Sequence, residues 1–197
     1  MKRAALGIRM HSGWGVLVAV CGDANSLECV ARKRIVTTDP TMLGANQPYH
    51  HAVSLPLADA ERYLANSAAV SERLAFEAVE EVVRELDGRG YRIVGSAVLL
   101  ASGRPLPSVA KILASHPLIH TAEGEFFRNA VGKACERLEI PVTPIRAREL
   151  DEQAKKAFGN TASQVQRSIS TLSSSIGPPW TKDHKTAALA AAMILAT

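Results

Sequence analysis

The sequence predicts an α/β fold in which a five-stranded mixed sheet, with strand order 3-2-1-4-5, carries helices on both faces. Three observations lead to this prediction. An apolar hairpin and a third strand open the chain, so three sequential antiparallel strands come first. Residues 4–8 and 93–100 are apolar on both strand faces, which is typical of central strands in a covered sheet. Helical and strand patterns then alternate, which favours a sheet between two helical layers.

The opening hairpin organises the rest of the prediction. Two apolar runs at residues 4–8 and 14–20 flank a turn at residues 11–13, where serine and glycine supply the turn chemistry. Arg9 stands at the end of the first strand, beside this turn. Because a guanidinium cannot lie unpaired in the deep core, we expect Arg9 to point into a surface cleft.

The remaining elements follow from turn signals and periodicity. A basic run at residues 32–34 is typical of an edge strand that resists further pairing, and its alternative role is contact with a nucleic-acid backbone. The predicted elements are a third strand at 27–37, a loop at 38–56, a helix at 57–87, a strand at 91–101, a helix from Ser108 that Pro117 breaks or restarts, a segment capped by Thr121, a strand at 140–145, helices at 149–158 and 162–172, a loop at 173–180, and a last helix at 184–196 capped by Asp183.

Composition limits the class of protein. The 197 residues predict a single domain over 1–197, with the loop and long helix at about 38–87 as its distinctive region. The net charge of +4 permits a nucleic-acid or phosphate-containing partner without requiring one. The three cysteines have no paired spacing, no apolar run reaches the length of a membrane span, and the N-terminus lacks a signal-peptide pattern. We therefore expect reduced thiols, no membrane partner and a cytoplasmic location.

The apolar stripe of the long helix is wider than one contact with a sheet requires. We therefore predict that this helix also contributes to a homodimer. The stripe consists of Leu64, Ala68, Leu74, Ala75, Val79, Val82 and Val83.

Several stretches resemble RuvC-type Holliday junction resolvases of the ribonuclease H-like superfamily. Residues 5–18, Ala-Leu-Gly-Ile-Arg-Met-His-Ser-Gly-Trp-Gly-Val-Leu-Val, are similar to that family's first hairpin, in which a Leu-Gly-Ile-Asp-Pro-Gly run leads into Gly-Tyr-Gly-Val. Residues 140–145 resemble its penultimate strand, residues 161–166 the lysine-containing segment after it, and residues 183–195 its last helix. The resemblance implies a ribonuclease H-like fold over most of the chain outside residues 38–87.

The resemblance also implies two divalent ions held by carboxylates, and the sequence departs from that pattern. Such ions need several negative charges from the ends of the first and fourth strands and from the last helix. The residues at the matching positions are Arg9, Ala101 or Ser102, Thr186 or Ala187, and His184 or Asp183. We therefore expect the fold to be kept and the two-metal site to be lost, because a fixed positive charge repels the ions.

The first functional hypothesis is therefore a non-catalytic binding or assembly protein, a pseudoenzyme whose cleft binds an anion such as a nucleic-acid phosphate. Guanidinium, hydroxyl and amide groups would replace the carboxylates as donors. The alternative is that these polar groups only solvate the strand ends. If the cleft also bound no phosphate, nucleotide or nucleic acid, an internal ion pair of Arg9 with Asp183 or Glu123 would make Arg9 a structural residue. The candidate anion-binding residues are Arg9, Ser12, Gly13, Ser102, Arg104, Lys182 and His184.

The second hypothesis is an enzyme: a metal-dependent nuclease or phosphotransferase that uses Mg²⁺ at a relocated cluster. His116 and His120 are four residues apart, the spacing that places two ligands on one helical face, although we expect Pro117 to disrupt that geometry. The candidate metal ligands are His116, His120, Glu123 and Asp183. The adjacent His50 and His51 lack helical ligand spacing, so a solvated loop is their expected setting.

Overall fold

A five-stranded sheet forms the centre of the fold, in the order β3-β2-β1-β4-β5. The computed structural model describes residues 1–101 and 105–197. β1 pairs antiparallel with β2 and parallel with β4, and β5 extends the sheet parallel to β4. The predicted mixed sheet and its order are therefore confirmed. The strands are β1 (Lys2–Met10), β2 (Trp14–Cys21), β3 (Glu28–Val36), β4 (Tyr91–Leu100) and β5 (Val142–Arg146).

Helices cover both faces of this sheet, as predicted. Apolar residues of β1 alternate between the two faces: Leu6 and Ile8 pack against α2 and α4, whereas Ala5 packs in the layer of α5, α6 and α8. The helices are α1 (Pro48–Ala52), α2 (Leu57–Gly88), α3 (Val109–Leu113), α4 (His116–Arg137), α5 (Leu150–Phe158), α6 (Ala162–Thr171), α7 (Ser173–Ile176) and α8 (Lys182–Leu195).

Helix α8 lies unusually close to the central strand. A Cβ atom at Gly7 would overlap the carbonyl oxygen of Ala187, so only glycine fits under the helix at this point. Four fully buried alanines, Ala187, Ala188, Ala190 and Ala191, present a flat helix surface to the sheet. This packing places the first turn of α8 at the end of β1, two residues beyond Gly7.

Two helix starts differ from the sequence prediction. Helix α4 begins at His116 after the N-cap Ser115, and Pro117 occupies its first turn, where no backbone N–H is required. Thr121 was therefore the wrong N-cap, since it lies inside α4 and its hydroxyl donates to the carbonyl of Pro117 over 3.0 Å. Helix α8 is capped by Thr181, and Asp183 occupies its first turn instead of the cap.

The stripe that predicted a homodimer is largely used inside the fold. Leu64, Ala75, Val79 and Val82 are buried, and α2 packs against α4, β3 and β4. Much of its outer face carries charge pairs one turn apart, among them Arg73–Glu77, Arg84–Glu80 and Arg89–Glu85. The dimer through α2 stays a prediction.

Two further expectations concern the cysteines and the membrane. All three cysteines, Cys21, Cys29 and Cys135, are unpaired. Among residues 1–101 and 105–197, no helix combines the length and apolarity needed to cross a bilayer.

Candidate functional site

An ion pair joins the end of β1 to the first turn of α8. The Nε atom of Arg9 lies 2.6 Å from Oδ1 of Asp183, and Nε2 of His11 lies 2.9 Å from Oδ2 of the same carboxylate. The Arg9 and Asp183 side chains are 29% and 23% exposed, so solvent reaches both partners. The acid that the resemblance left as a possible metal ligand is therefore engaged by a guanidinium.

An aromatic and cationic stack continues from this ion pair across β2 to β3. The ring of His11 stacks on Trp14 with centroids 4.5 Å apart and planes 19° apart. The guanidinium carbon of the exposed Arg34 lies 3.8 Å from the centroid of the Trp14 ring, a cation–π contact. We call these four residues, Arg9, His11, Trp14 and Arg34, the basic-aromatic strip.

The strip follows from strand alternation. Of its members, only Arg9 belonged to the predicted anion-binding set, whereas Arg34 was expected to protect a sheet edge or to contact a nucleic-acid backbone. Trp14 faces Val36 and Val16 faces Arg34 across the β2–β3 pair, which puts all four side chains on one face of the sheet. Trp14 packs against the α8 layer, so this is the face that also carries Arg9. Applying the two-residue period across all three strands would have indicated the strip from the sequence.

The segment that leads into α8 uses another predicted basic residue as an anchor. Arg32 donates to the carbonyls of Gly177 and Pro179 over 2.9 and 2.6 Å. At the helix start, Thr181 N–H donates to Nδ1 of the buried His184 over 3.2 Å. Burial, followed by the nearby Arg32 charge, lowers the pKa of His184, while Asp183 opposes the shift. His184 therefore caps the helix, and Lys182 beside it is exposed.

The turn residues of the hairpin differ in their accessibility. Ser12 is exposed at the tip. Gly13 has a φ of +76° and is buried, and its carbonyl accepts from the N–H of Thr37 over 2.9 Å. Gly13 thus joins the turn to the end of β3. Ser102 and Arg104, the other two predicted anion-binding residues, lie outside the described residues.

A second arginine, Arg128, contacts the end of β4 from the opposite side of the sheet. Nε of Arg128, on α4, donates to the carbonyl of Leu99 over 2.9 Å. Burial lowers the pKa of Arg128, Glu125 raises it, and the charge of Arg9 lowers it further. Arg128 and Glu125 line an open groove of about 820 Å³ between α4 and the β4–β5 edge, together with Asn129, Lys133 and Glu136.

These residues do not fit the pair of divalent ions that the resemblance implies. Ile8 pairs with Val98, so β1 and β4 end at the same level, one residue beyond Arg9, and residues 101–104 contain no acidic side chain. Asp183 lies against Arg9, which neutralises it. Two ions a few ångströms apart require several anionic oxygens, and the guanidinium of Arg9 repels cations from this point.

The predicted alternative metal set is only partly brought together. The rings of His116 and His120 lie one turn apart with centroids 4.5 Å apart, so the expectation that Pro117 disrupts their geometry was wrong. Glu123 is buried, and its Oε1 accepts from the N–H groups of Tyr49 and His50 over 2.7 and 3.0 Å. Asp183 is engaged at Arg9 instead.

Comparison with known proteins identifies the fold. No family model matches the chain, and no curated protein matches it. Among solved structures, Thermus thermophilus RuvC in complex with a Holliday junction substrate is 14% identical, with a TM-score of 0.53 over 97% of this chain and 91% of that one. The fold is RuvC-like.

A second structure of Thermus thermophilus RuvC gives the same result. It is 13% identical, with a TM-score of 0.53 over 96% of this chain and 92% of that one. The structural likeness therefore extends into residues 38–87, which the resemblance in sequence did not include. The predicted ribonuclease H-like fold is confirmed by both comparisons.

Proposed function

We propose that this chain is a nucleic-acid-binding protein with a RuvC-like fold that does not cut its ligand by two-metal chemistry. The observation that carries the proposal is the Arg9–Asp183 ion pair at the end of β1. The resemblance in sequence matches Arg9 to a metal-binding acid of the resembling enzymes. The guanidinium of Arg9 is paired with a carboxylate 2.6 Å away, which a phosphate can displace.

The basic-aromatic strip supports a nucleic acid as the ligand. Flat side chains such as Trp14 and His11 can stack on exposed bases, and Arg34 and Arg9 can contact phosphates. Lys182 and Ser12 are exposed beside the strip and add donors at its rim. The solved RuvC structure with this fold is titled as a complex with a Holliday junction substrate, which favours branched DNA as the first ligand to test.

The binding experiment measures the fluorescence anisotropy of labelled four-way, duplex and single-stranded DNA. We expect Arg34→Ala to weaken binding by about threefold to tenfold and to reduce the slope of log affinity against log salt by about one. Arg73→Ala is the matched control, because it removes an equally exposed arginine from α2, on the other side of the sheet. Equal loss in both variants, or no DNA binding by the wild type, would contradict the proposal.

The cleavage experiment addresses the second half of the proposal. Wild-type protein incubated with the same DNAs in Mg²⁺ or Mn²⁺ should leave them intact. If cleavage occurs and Asp183→Asn abolishes it, a catalytic metal site is present at the end of β1 and the proposal is wrong. Cleavage that His120→Asn abolishes would instead support the relocated-cluster alternative.

A further inference from the structure

Three histidines from two separate parts of the chain converge on one point of the surface. His50 comes from α1, whereas His116 and His120 lie one turn apart at the start of α4. One ring nitrogen from each lies within 4.8 Å of the other two. The ring centroids are 5.7, 4.9 and 4.5 Å apart. The ring planes meet at 86°, 62° and 81°, so these rings do not form a parallel aromatic stack.

Glu123 supplies an independent observation behind His50. Its Oε1 lies 3.3 Å from Nδ1 of His50, and the carboxylate is only 6% exposed. Two backbone N–H groups of α1, those of Tyr49 and His50, donate to the same oxygen and hold the carboxylate in place. Nδ1 of His50 is buried and forms no aligned hydrogen bond, so a small rotation of the ring would let it donate to this carboxylate and would leave Nε2 for a ligand. A carboxylate that accepts from a histidine is the usual arrangement that orients a metal-binding imidazole.

We propose that His50, His116 and His120 bind one first-row transition-metal ion, with zinc as the reference ion, and that Glu123 orients His50. The proposal is independent of the proposed binding of nucleic acid. Neutral imidazoles suit zinc, copper and nickel, whereas magnesium prefers oxygen ligands. These three residues therefore favour zinc over the Mg²⁺ that the alternative enzyme hypothesis names.

The geometry needs only a small adjustment to accept the ion. A tetrahedral zinc with nitrogens about 2.0–2.1 Å away holds them about 3.3 Å apart. The exposed side chains of His116 and His120 can rotate to close the remaining distance, because solvent surrounds them. Their exposure also leaves a fourth coordination position open to water, as in three-histidine sites that keep a solvent ligand.

The ion would tie two distant segments together. α1 lies within residues 38–56, and α4 begins more than sixty residues later. An ion that binds only the folded arrangement stabilises it by mass action. We therefore expect saturating zinc to raise the melting temperature of the full chain by about 5 °C.

The test titrates zinc into the full-length chain after chelator treatment and dialysis, by calorimetry and by competition with a chromophoric chelator. We expect one equivalent to bind, and His116→Asn and His120→Asn each to weaken binding by at least about 100-fold. His51→Asn is the matched control. Its ring lies 4.6 Å from that of Tyr63 and does not belong to the cluster, so binding should be unchanged.

A conservative variant isolates the role of Glu123. In Glu123→Gln, the amide oxygen still accepts from the α1 backbone, so circular dichroism should show an intact fold. Loss of the carboxylate should weaken zinc binding about 10- to 100-fold. Titration with Co²⁺ adds a spectroscopic readout, because a four-coordinate site absorbs visible light much more strongly than the hydrated ion. No binding by the wild type, or binding that the His116 and His120 variants leave unchanged, would overturn the proposal.

Discussion

At the scale of single residues, the Arg9–Asp183 pair affects the charge of the proposed binding site more than it affects the stability of the fold. Both side chains are partly exposed, and such pairs typically contribute about 1 kcal/mol or less to folding. Their effect on a bound anion is larger, since Asp183 is a negative charge directly beside the proposed phosphate contact. Replacing Asp183 should therefore have little effect on folding stability and a larger effect on the affinity for an anionic ligand.

We predict that Asp183→Asn raises the affinity for DNA by about threefold to tenfold at low salt, because it releases Arg9 and removes a repulsive charge. Anisotropy titrations at two salt concentrations measure the change, which should shrink as salt rises. Glu77→Gln is the control, since it breaks an exposed Arg–Glu pair on α2. Weaker binding by Asp183→Asn would show that the carboxylate helps to hold the ligand.

Part of this site could be predicted from single residues, and part could not. Arg9 was expected at a surface cleft because a charge closing an apolar strand must reach solvent. Asp183 was one of two ion-pair partners considered for Arg9, and no local pattern selects between partners so distant along the chain. Trp14 was interpreted only as a strand former, because a tryptophan on an apolar strand is indistinguishable from a core residue without its neighbours.

His184 connects helix capping to pH. Its pKa is lowered in the folded protein, chiefly by burial, so the folded state takes up a proton less readily than the unfolded state, whose histidine titrates near 6.5. The stability linked to this neutral ring is fully present above that value. It is lost as the pH falls through 6.5 towards the lower folded pKa.

We predict that lowering the pH from 7.5 to 5 reduces the free energy of unfolding more in the wild type than in His184→Gln. Glutamine at this position can still accept from Thr181 N–H, so the cap survives while the titration disappears. Urea unfolding of both proteins at the two pH values provides the measurement. Parallel losses would mean that other groups account for the acid sensitivity.

At the scale of elements, the packing of α8 on β1 determines where the site lies. The helix approaches the strand at Gly7, and its first turn then meets Arg9. A larger side chain at Gly7 would push away the backbone of α8, which cannot yield as a side-chain tip can.

We predict that Gly7→Ala destabilises the fold by about 3 kcal/mol, because the new methyl group displaces the backbone of α8 from the sheet. Gly132→Ala is the matched substitution in the interior of α4, where nothing lies within 4 Å of the new methyl group. It should stabilise by about 0.5–1 kcal/mol, since alanine is the better helix former. Thermal or urea unfolding of both variants distinguishes the two effects.

The element predictions failed where tertiary contacts decide the outcome. Pro117 was expected to break or restart the helix, and it lies in the first turn of α4, which begins after α3 has ended; the N-cap is Ser115 and not the predicted Thr121. The five residues of α1 were predicted as part of a loop, and a helix this short has little intrinsic stability. Glu123 on α4 accepts hydrogen bonds from two backbone N–H groups of α1. Because Glu123 lies more than seventy positions further along the chain, the local sequence of α1 does not reveal this contact.

At the scale of the whole molecule, the topology was the most predictable property. Three antiparallel strands followed by alternating helices and strands allow few arrangements, and the doubly apolar β1 and β4 had to be central. The association state is harder to predict from the sequence, because an apolar stripe on α2 can pack in the core of a monomer or in an interface between subunits. The apolar side chains still exposed near the start of α2 are Leu43, Val53 and Leu57.

We predict that a homodimer through α2 uses this end of the helix, so that Leu57→Glu lowers the sedimentation coefficient at high micromolar concentration. Glu77→Gln, which changes the charged part of α2, should leave it unchanged. A monomeric wild-type protein at that concentration would contradict the predicted dimer.

The aromatic stack at the strand end, together with a second stack at the start of α8, gives the protein an intrinsic optical signal. Each of its two tryptophans lies against a histidine ring, Trp14 against His11 at 4.5 Å and Trp180 against His184 at 5.6 Å. A protonated imidazole in contact with an indole quenches its emission. Tryptophan fluorescence should therefore report protonation of His184 through Trp180, and the arrival of a ligand through Trp14. A Trp180→Phe variant would make the emission specific to the basic-aromatic strip without any attached label.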